Sequence, residues 1–274
     1  MTTVLPAPAK PPPLTAPHRP AAVRAGIAAT LALTRRNLLH WLRQPQLLLL
    51  STVQPVVVVV VFTSIFRGTV GGGVNPVAFL LPGILVQVLA FDSLQTAMGL
   101  AEDLSDTTVD RLRTLPVPRS AVLVARTLAD ACRNVAVVLL ILAAGTGLGF
   151  RYTGGPLRTV AGVALVLAFA YALSWIFTAI ALSVRGGAEA ANAAGVVWMF
   201  PLVFASTALA PAAAMPGWLR GFVAHQPVSA VVDAVRALLI GQPTRTPVLL
   251  ALAWTAAIVA VFAPISARRF RRLA

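Results

Sequence analysis

Few side chains in this sequence could carry chemistry. The carboxylates number eight (Asp92, Glu102, Asp103, Asp106, Asp110, Asp130, Glu189 and Asp233), beside three histidines, one cysteine and one lysine. His18, His40 and His225 fall into no HExxH or similar ligand spacing. A lone Cys132 can form neither an internal disulfide nor a thiolate metal cluster. Lys10 is followed by Pro11, whereas a Walker A loop sets its lysine after Gly and before Ser or Thr. The chain therefore holds no P-loop and hydrolyses no ATP by one. No Ser/His pair or paired-acid set supports catalysis either. The expectation is a protein with no catalytic residue, no cofactor and no metal of its own.

Four of the eight acids crowd into one stretch, Ala101–Ser120, AEDLSDTTVDRLRTLPVPRS. These are Glu102, Asp103, Asp106 and Asp110. Ser105 or Asp106 can cap a short helix by accepting from a free backbone N–H. Val109, Leu112 and Leu115 then recur every three residues on one side, Arg111 and Arg113 lie off that stripe, and Pro116 and Pro118 end the helix. A short amphipathic helix with a rigid stop suits a groove on a partner. A well-capped connecting loop accounts for the same pattern equally well.

The elements that must position these residues follow from composition. The 274 residues are 58% hydrophobic and 11% charged, with a mean hydropathy of +0.85. Soluble domains are roughly 45–50% apolar and about 25% charged. A soluble fold of this size would expose aggregating apolar patches; lipid is the solvent that fits. The net charge of +14 would suggest nucleic acid in a soluble protein. Here the arginines stand between apolar runs, as topology signals do, so lipid is the expected partner and nucleic acid is not.

Crossing the hydrocarbon layer takes about 20 apolar residues. Such stretches occur near Leu47–Phe66, Val77–Leu100, Ala121–Phe150, Thr159–Ser183, Ala188–Ala210 and Pro247–Ala267. The sequence thus predicts an all-α, six-span membrane domain over residues 25–274. Residues 1–24, rich in Pro and Ala and without an apolar h-region, read as a disordered cytoplasmic tail rather than a signal peptide. With six spans, sixteen of the Lys and Arg residues fall on the side of the termini and six on the other. The positive-inside rule places both termini in the cytoplasm.

Two further segments are too amphipathic or too interrupted to span. Gly26–Arg43 sets Ile27, Leu31, Leu38, Trp41 and Leu42 near one face and Arg35, Arg36, His40 and Arg43 on the other. That pattern predicts a helix lying in the cytoplasmic interface, with Trp41 at the headgroups. On the outer side, Pro216, Gly221 and Pro227 cut Pro211–Gly241 into two short helices, with Gly241 as the C′ residue of the second. A helical hairpin dipping into the outer leaflet is expected there. Trp218 and Phe222, one turn apart, would anchor it at the interface.

Within the spans, Asp92 sits among Val88, Leu89, Ala90, Phe91 and Leu94, with Gln87 and Gln95 nearby. An ionisable group at such depth faces a bundle interior or water. Gln87, Asp92 and Gln95 either line a translocation path or dimer seam, or hold helices together. Arg126, Asp130 and Arg133, at i, i+4 and i+7, read as a charge ladder along one helix. Asp233 and Arg236 read as a structural i, i+3 pair. Glu189 and Asn192, after Arg185, mark either a second partner contact or plain helix-start chemistry.

The run VDRLRTLPVPRSAVLVARTLAD (Val109–Asp130) resembles the signature of type-2 ABC exporter permeases, in particular the daunorubicin/doxorubicin-resistance group of actinobacteria. TRRNLLHWLRQPQLLLLSTVQPVVVVVVF (Thr34–Phe62) is similar to that family's interfacial helix and first span, and FLLPGILVQVLAFDSLQTAMGLAEDL (Phe79–Leu104) to its second. MPGWLRGFVAHQPVSAVVDAVRALLIG (Met215–Gly241) is similar to its outer hairpin. These segments follow the family's order over most of the chain after residue 25. One departure is Thr at positions 107 and 108, where many relatives carry Gly.

The resemblance implies an export channel in a bacterial cell membrane, built from two such halves, identical or related. It also implies two separate ATP-binding subunits, which hold the ATP and Mg. Val109, Asp110, Arg111, Leu112, Arg113 and Leu115 would form the coupling helix that docks on the ATPase. The interfacial helix with Arg35, Arg36, Trp41 and Arg43 would pack beside it. The implied cargo is an amphipathic or lipophilic drug or a lipid; related permeases export polysaccharides, which is the neighbouring alternative. A stand-alone secondary transporter would want paired intramembrane acids or an inverted repeat with broken helices. The sequence offers one mid-span acid and no clear repeat.

Overall fold

The computed structural model describes residues 45–65, 76–105, 119–184 and 187–273, with side chains over 53–65, 76–95, 130–184 and 189–269. Among the described residues there are eight α-helices and no strand. They are α1 (Pro45–Ile65), α2 (Pro76–Ser105), α3 (Arg119–Gly147), α4 (Pro156–Ala181), α5 (Gly187–Phe204), α6 (Gly217–His225), α7 (Pro227–Ile240) and α8 (Arg245–Leu273). A 3₁₀ turn, Ala212–Ala214, precedes α6.

Proline opens α1, α2, α4 and α7, where a missing N–H costs nothing and the fixed φ already suits a helix. The long apolar runs then continue because lipid leaves the backbone no hydrogen-bond partner outside the helix. α2 and α4 form the axis of the bundle. Around α2 pack α1, α3, α4, α5 and α7, and α8 leans on α4 and α7. Leu80, Leu81, Ile84, Leu85 and Leu89 of α2 are fully buried with Phe169 and Leu173 of α4 and Met199 of α5. Two-thirds of the apolar part of α2 is buried within the protein, against 17% for α8. Since lipid tails are as apolar as leucine, such burial stabilises through close packing and internal hydrogen bonds rather than by leaving water. At Gly83 a Cβ would fall on the carbonyl of Ala208, so glycine is what lets the 205–210 segment lie directly on α2.

The 211–241 segment forms the expected pair of short helices, with α6 and α7 meeting at 71°. Gly241 ends α7 in the left-handed conformation (φ 75°), and the N–H of Gln242 returns to the carbonyl of Ala237 at 3.0 Å. Only a residue without a Cβ takes that turn freely. The break lies at Gln226 and Pro227; Gly221 stands inside α6 and interrupts nothing.

A helix stands at each of the six expected crossing positions, but their lengths differ from expectation. Full crossing length is reached by the apolar parts of α2 (Pro76–Gln95), α3 (Asp130–Gly147), α4 (Pro156–Ala181) and α8 (Arg245–Arg269). The bent α6–α7 pair would count as a fifth only if taken as one span. α1 (Pro45–Ile65, 21 residues) follows the expected first crossing closely, and α5 (Gly187–Phe204, 18 residues) is shorter than its expected crossing. α5 stops at Phe204, six residues before the expected Ala210, where Ser206 Oγ donates back to the carbonyl of Val203 and Thr207 turns away to bond the hairpin. The expected tail at 1–24, the interfacial helix with Arg35, Arg36, Trp41 and Arg43, and the helix at Val109–Leu115 lie outside the described residues.

Candidate functional site

Two arginine–aspartate clusters flank the middle of α2, about 20 Å apart along its axis by helix rise. The outer one gathers α7, the first turn of α2 and the turn after α5. Arg236, nearly fully buried, bonds Asp233 Oδ1 through Nη1 at 2.8 Å and the carbonyl of Thr207 through Nη2 at 2.9 Å. Its Nη2 and Nε also reach the carbonyl of Phe79, at 3.1 and 3.3 Å. The guanidinium lies 4.0 Å over the centre of the Phe79 ring, a cation–π contact in a dry site. Thr207 Oγ1 donates to the same Asp233 oxygen at 2.9 Å, and its N–H to Ser229 Oγ at 3.2 Å. At the hairpin's elbow, Gln226 Nε2 donates to Ser229 Oγ (3.2 Å) and to the carbonyl of Ala205. The far end of α7 is tied as well: Thr153 Oγ1 bonds the carbonyl of Ile240 at 2.7 Å, and the N–H of Gly154 that of Leu239 at 3.1 Å. Every nitrogen of Arg236 therefore has an acceptor. This arrangement can fix α7 against the bundle.

The second cluster joins α2 to α3 on the side of the Ala101–Ser120 connection. Arg133 of α3 bonds Asp92 of α2 through Nη2 at 2.6 Å. Nη1 stands 3.6 Å from Asp130 Oδ1, one turn back on α3. All three side chains are 18–19% exposed. This cluster leaves more polar atoms idle than the first, in which Gln226 Oε1 is buried without a partner. Arg133 Nε, Asp130 Oδ2 and Asn134 Oδ1 are buried without a hydrogen-bond partner. Such an atom costs about 1–3 kcal/mol wherever water does not reach it.

Of the residues expected on a path, Asp92 is half-buried and turned to α3, Gln87 is half-buried with Oε1 unpartnered, and Gln95 is exposed. The pairing of Asp92 with Arg133 across helices went unread in the sequence, which placed Arg133 on a ladder within its own helix. Its contact with Asp130 keeps one rung of that ladder. The missed signal was that an acid in a span needs a partner, and that the next span supplies an arginine near its start. The Asp233–Arg236 pair is present as read, but nothing in the sequence announced its bonds to Phe79 and Thr207. Glu189 is exposed in the first turn of α5, while Trp218 (80%) and Phe222 (52%) are exposed on α6, as an interfacial anchor requires.

Residues 28–240 match the family described as ABC-2 type transporter. The chain is 32% identical over 259 residues to a daunorubicin resistance ABC transporter permease protein of Streptomyces coeruleorubidus, covering 94% of this chain and 91% of the relative. It is 32% identical over 255 residues to a probable doxorubicin resistance ABC transporter permease protein of Mycobacterium tuberculosis, covering 92% and 91%. A putative transport permease of Porphyra purpurea is 26% identical over 215 residues, covering 75% and 72%. These relatives are named as permeases, and this chain has no P-loop of its own. The chain thus belongs to the ABC-2 type transporter family, as a multi-pass membrane permease subunit of an exporter whose ATPase is a separate subunit.

Proposed function

We propose that two copies of this chain, or this chain and a close relative, form the membrane path of an exporter for an amphipathic or lipophilic drug or lipid. The observation that carries this reading is the 32% identity, over nearly the whole chain, to permeases named for daunorubicin and doxorubicin resistance. Both termini would lie in the cytoplasm, as the arginine distribution favours. ATP and Mg would bind on the partner subunit alone.

Force would enter through the connection between α2 and α3. α2 runs ten residues beyond Gln95 to Ser105, and α3 begins at Arg119, eleven residues before Asp130. These extensions are each about 15 Å long. They would carry the segment containing Val109, Asp110, Arg111, Leu112, Arg113 and Leu115 clear of the bilayer, where an ATPase groove could take its apolar stripe. The interfacial helix with Arg35, Arg36, Trp41 and Arg43 would lie alongside. Closure of the ATPase pair would then rock the two halves between inward-open and outward-open states as rigid bodies. Gln87, Asp92 and Gln95 remain our candidates for groups near the path. The exposed α5 face with Val197, Trp198, Phe200 and Phe204 offers apolar surface that suits a lipophilic cargo better than a sugar chain.

Co-purification tests the reading. A candidate ATP-binding subunit expressed with the full chain should be retained by it, and Leu112→Asp should abolish retention while leaving the permease folded. Retention unaffected by Leu112→Asp would move the docking site elsewhere.

A further inference from the structure

We propose that the C-terminal end of α8 is a binding site for an anionic phospholipid. Arg268, with the arginines at 271 and 272, takes the headgroup phosphate, and the exposed face of α8 takes the acyl chains. The site rests only on the chain's being a membrane permease, and not on its cargo or its ATPase. Residues 246 to 267 carry no charge, and Arg268, Arg269, Arg271 and Arg272 then follow almost without interruption. α8 runs through all four to Leu273, so they are set on a helix rather than on a loose tail.

Two bonds fix how this end of α8 is turned. Ser266 Oγ donates to the carbonyl of Trp175 at 3.1 Å, and Arg269 Nη1 to that of Ala179 at 3.4 Å, close to where α4 ends at Ala181. One side of α8 is thereby held against α4, and Arg268 is left exposed on the other. Ile265 and Val261, one and two turns before Arg268, are exposed as well, at 37% and 51%. The helical repeat brings positions 271 and 272 back to the side of position 268. An apolar stripe thus leads directly into a group of arginines, which is the order of acyl chain and phosphate in a phospholipid. The elements packed against α8 supply no free counter-charge. The sequence has no acidic side chain after Asp233, and α4 holds none. Asp233 of α7 is already bonded by Arg236 and Thr207. Among the described residues, neither Arg268 nor Arg269 pairs with an acid. A guanidinium takes two oxygens of one phosphate at once. A protein partner could answer the arginines, but not the apolar stripe before them, which lies at bilayer depth.

Native mass spectrometry of the full chain, released from micelles doped with phosphatidylglycerol or phosphatidylcholine, tests the site. The wild type should retain phosphatidylglycerol in preference, and inorganic phosphate at the same concentration should not displace it. Arg268→Gln should weaken that retention about fivefold, as for one basic group at an anionic surface, and Arg268→Lys should keep most of it. Replacing Arg268, Arg271 and Arg272 together by Gln should bring retention down to that of phosphatidylcholine. Arg158→Gln, which removes an exposed charge at the opposite end of α4, should change nothing. The melting midpoint should hold in every variant, because Arg269 and its bond to α4 are kept. The site is overturned if the triple variant still prefers phosphatidylglycerol, or if Arg158→Gln weakens retention as much as Arg268→Gln. Displacement by inorganic phosphate would reduce it to a plain anion site and overturn it too. If the triple variant keeps its lipid preference but no longer retains a co-expressed ATP-binding subunit, the arginines belong to that subunit instead.

Discussion

Arg236 and Arg133 are both arginines paired with aspartate against α2, and they are used in opposite ways. Arg236 gives every nitrogen an acceptor, lies over an aromatic ring, and ties three separate pieces of chain together. Arg133 makes one short bond across helices and leaves polar atoms idle around it. A fully satisfied buried network fixes one geometry, because every departure breaks several bonds at once. A partly satisfied one leaves room for a second arrangement of similar energy. The end of the bundle at α7 is therefore held in one geometry, and the end beside the Ala101–Ser120 connection is held more loosely.

The strongest way to break this comparison is Arg236→Ala. It leaves the carbonyls of Phe79 and Thr207 without this donor, at about 1–3 kcal/mol each, and takes the counter-ion from Asp233, which is 46% exposed and keeps its bond from Thr207. Thermal unfolding in detergent should show a large fall in midpoint or a loss of folded yield; a fall as small as that of Arg133→Ala would erase the distinction. Gly83→Val should follow at about 2–4 kcal/mol, because its side chain meets the Ala208 backbone rather than a movable group. Asp92→Asn should cost about 1–2 kcal/mol, less than any loss at the outer knot, because Asp130 remains beside Arg133. Gly241→Ala forces a left-handed φ and should cost about 1 kcal/mol, measured against an unchanged Gln242→Ala control. Trp218→Ala, at 80% exposure, should leave the unfolding midpoint in detergent unmoved and weaken only the hairpin's hold on the bilayer.

The parts legible in the sequence are those governed by local rules. Apolar runs, prolines at helix starts, Gly241 at a helix end and the i, i+3 spacing of Asp233 and Arg236 each state their structure within a few residues. The early end of α5 was hidden, because Leu202 to Ala210 is apolar enough to continue a span. What stops it is the demand of Thr207 for partners on α7, more than twenty residues later. The Asp92–Arg133 bond was hidden for a related reason. Helical spacing offered Arg133 nearer partners on its own helix, and only tertiary packing shows that the bond across to α2 is shorter. Gly83 carries no signal at all in a single sequence, since its role is set by a backbone 125 positions away.

The most direct test of the account is ATP-driven transport in sealed vesicles holding the purified chain and an ATP-binding subunit. An amphipathic fluorescent cargo should accumulate on the side away from the ATPase when ATP is added. Accumulation should cease when the ATPase is omitted or when Leu112→Asp breaks its hold. Transport that continues undiminished without any ATP-binding subunit would contradict the account, for the permease would then be drawing its force from somewhere else.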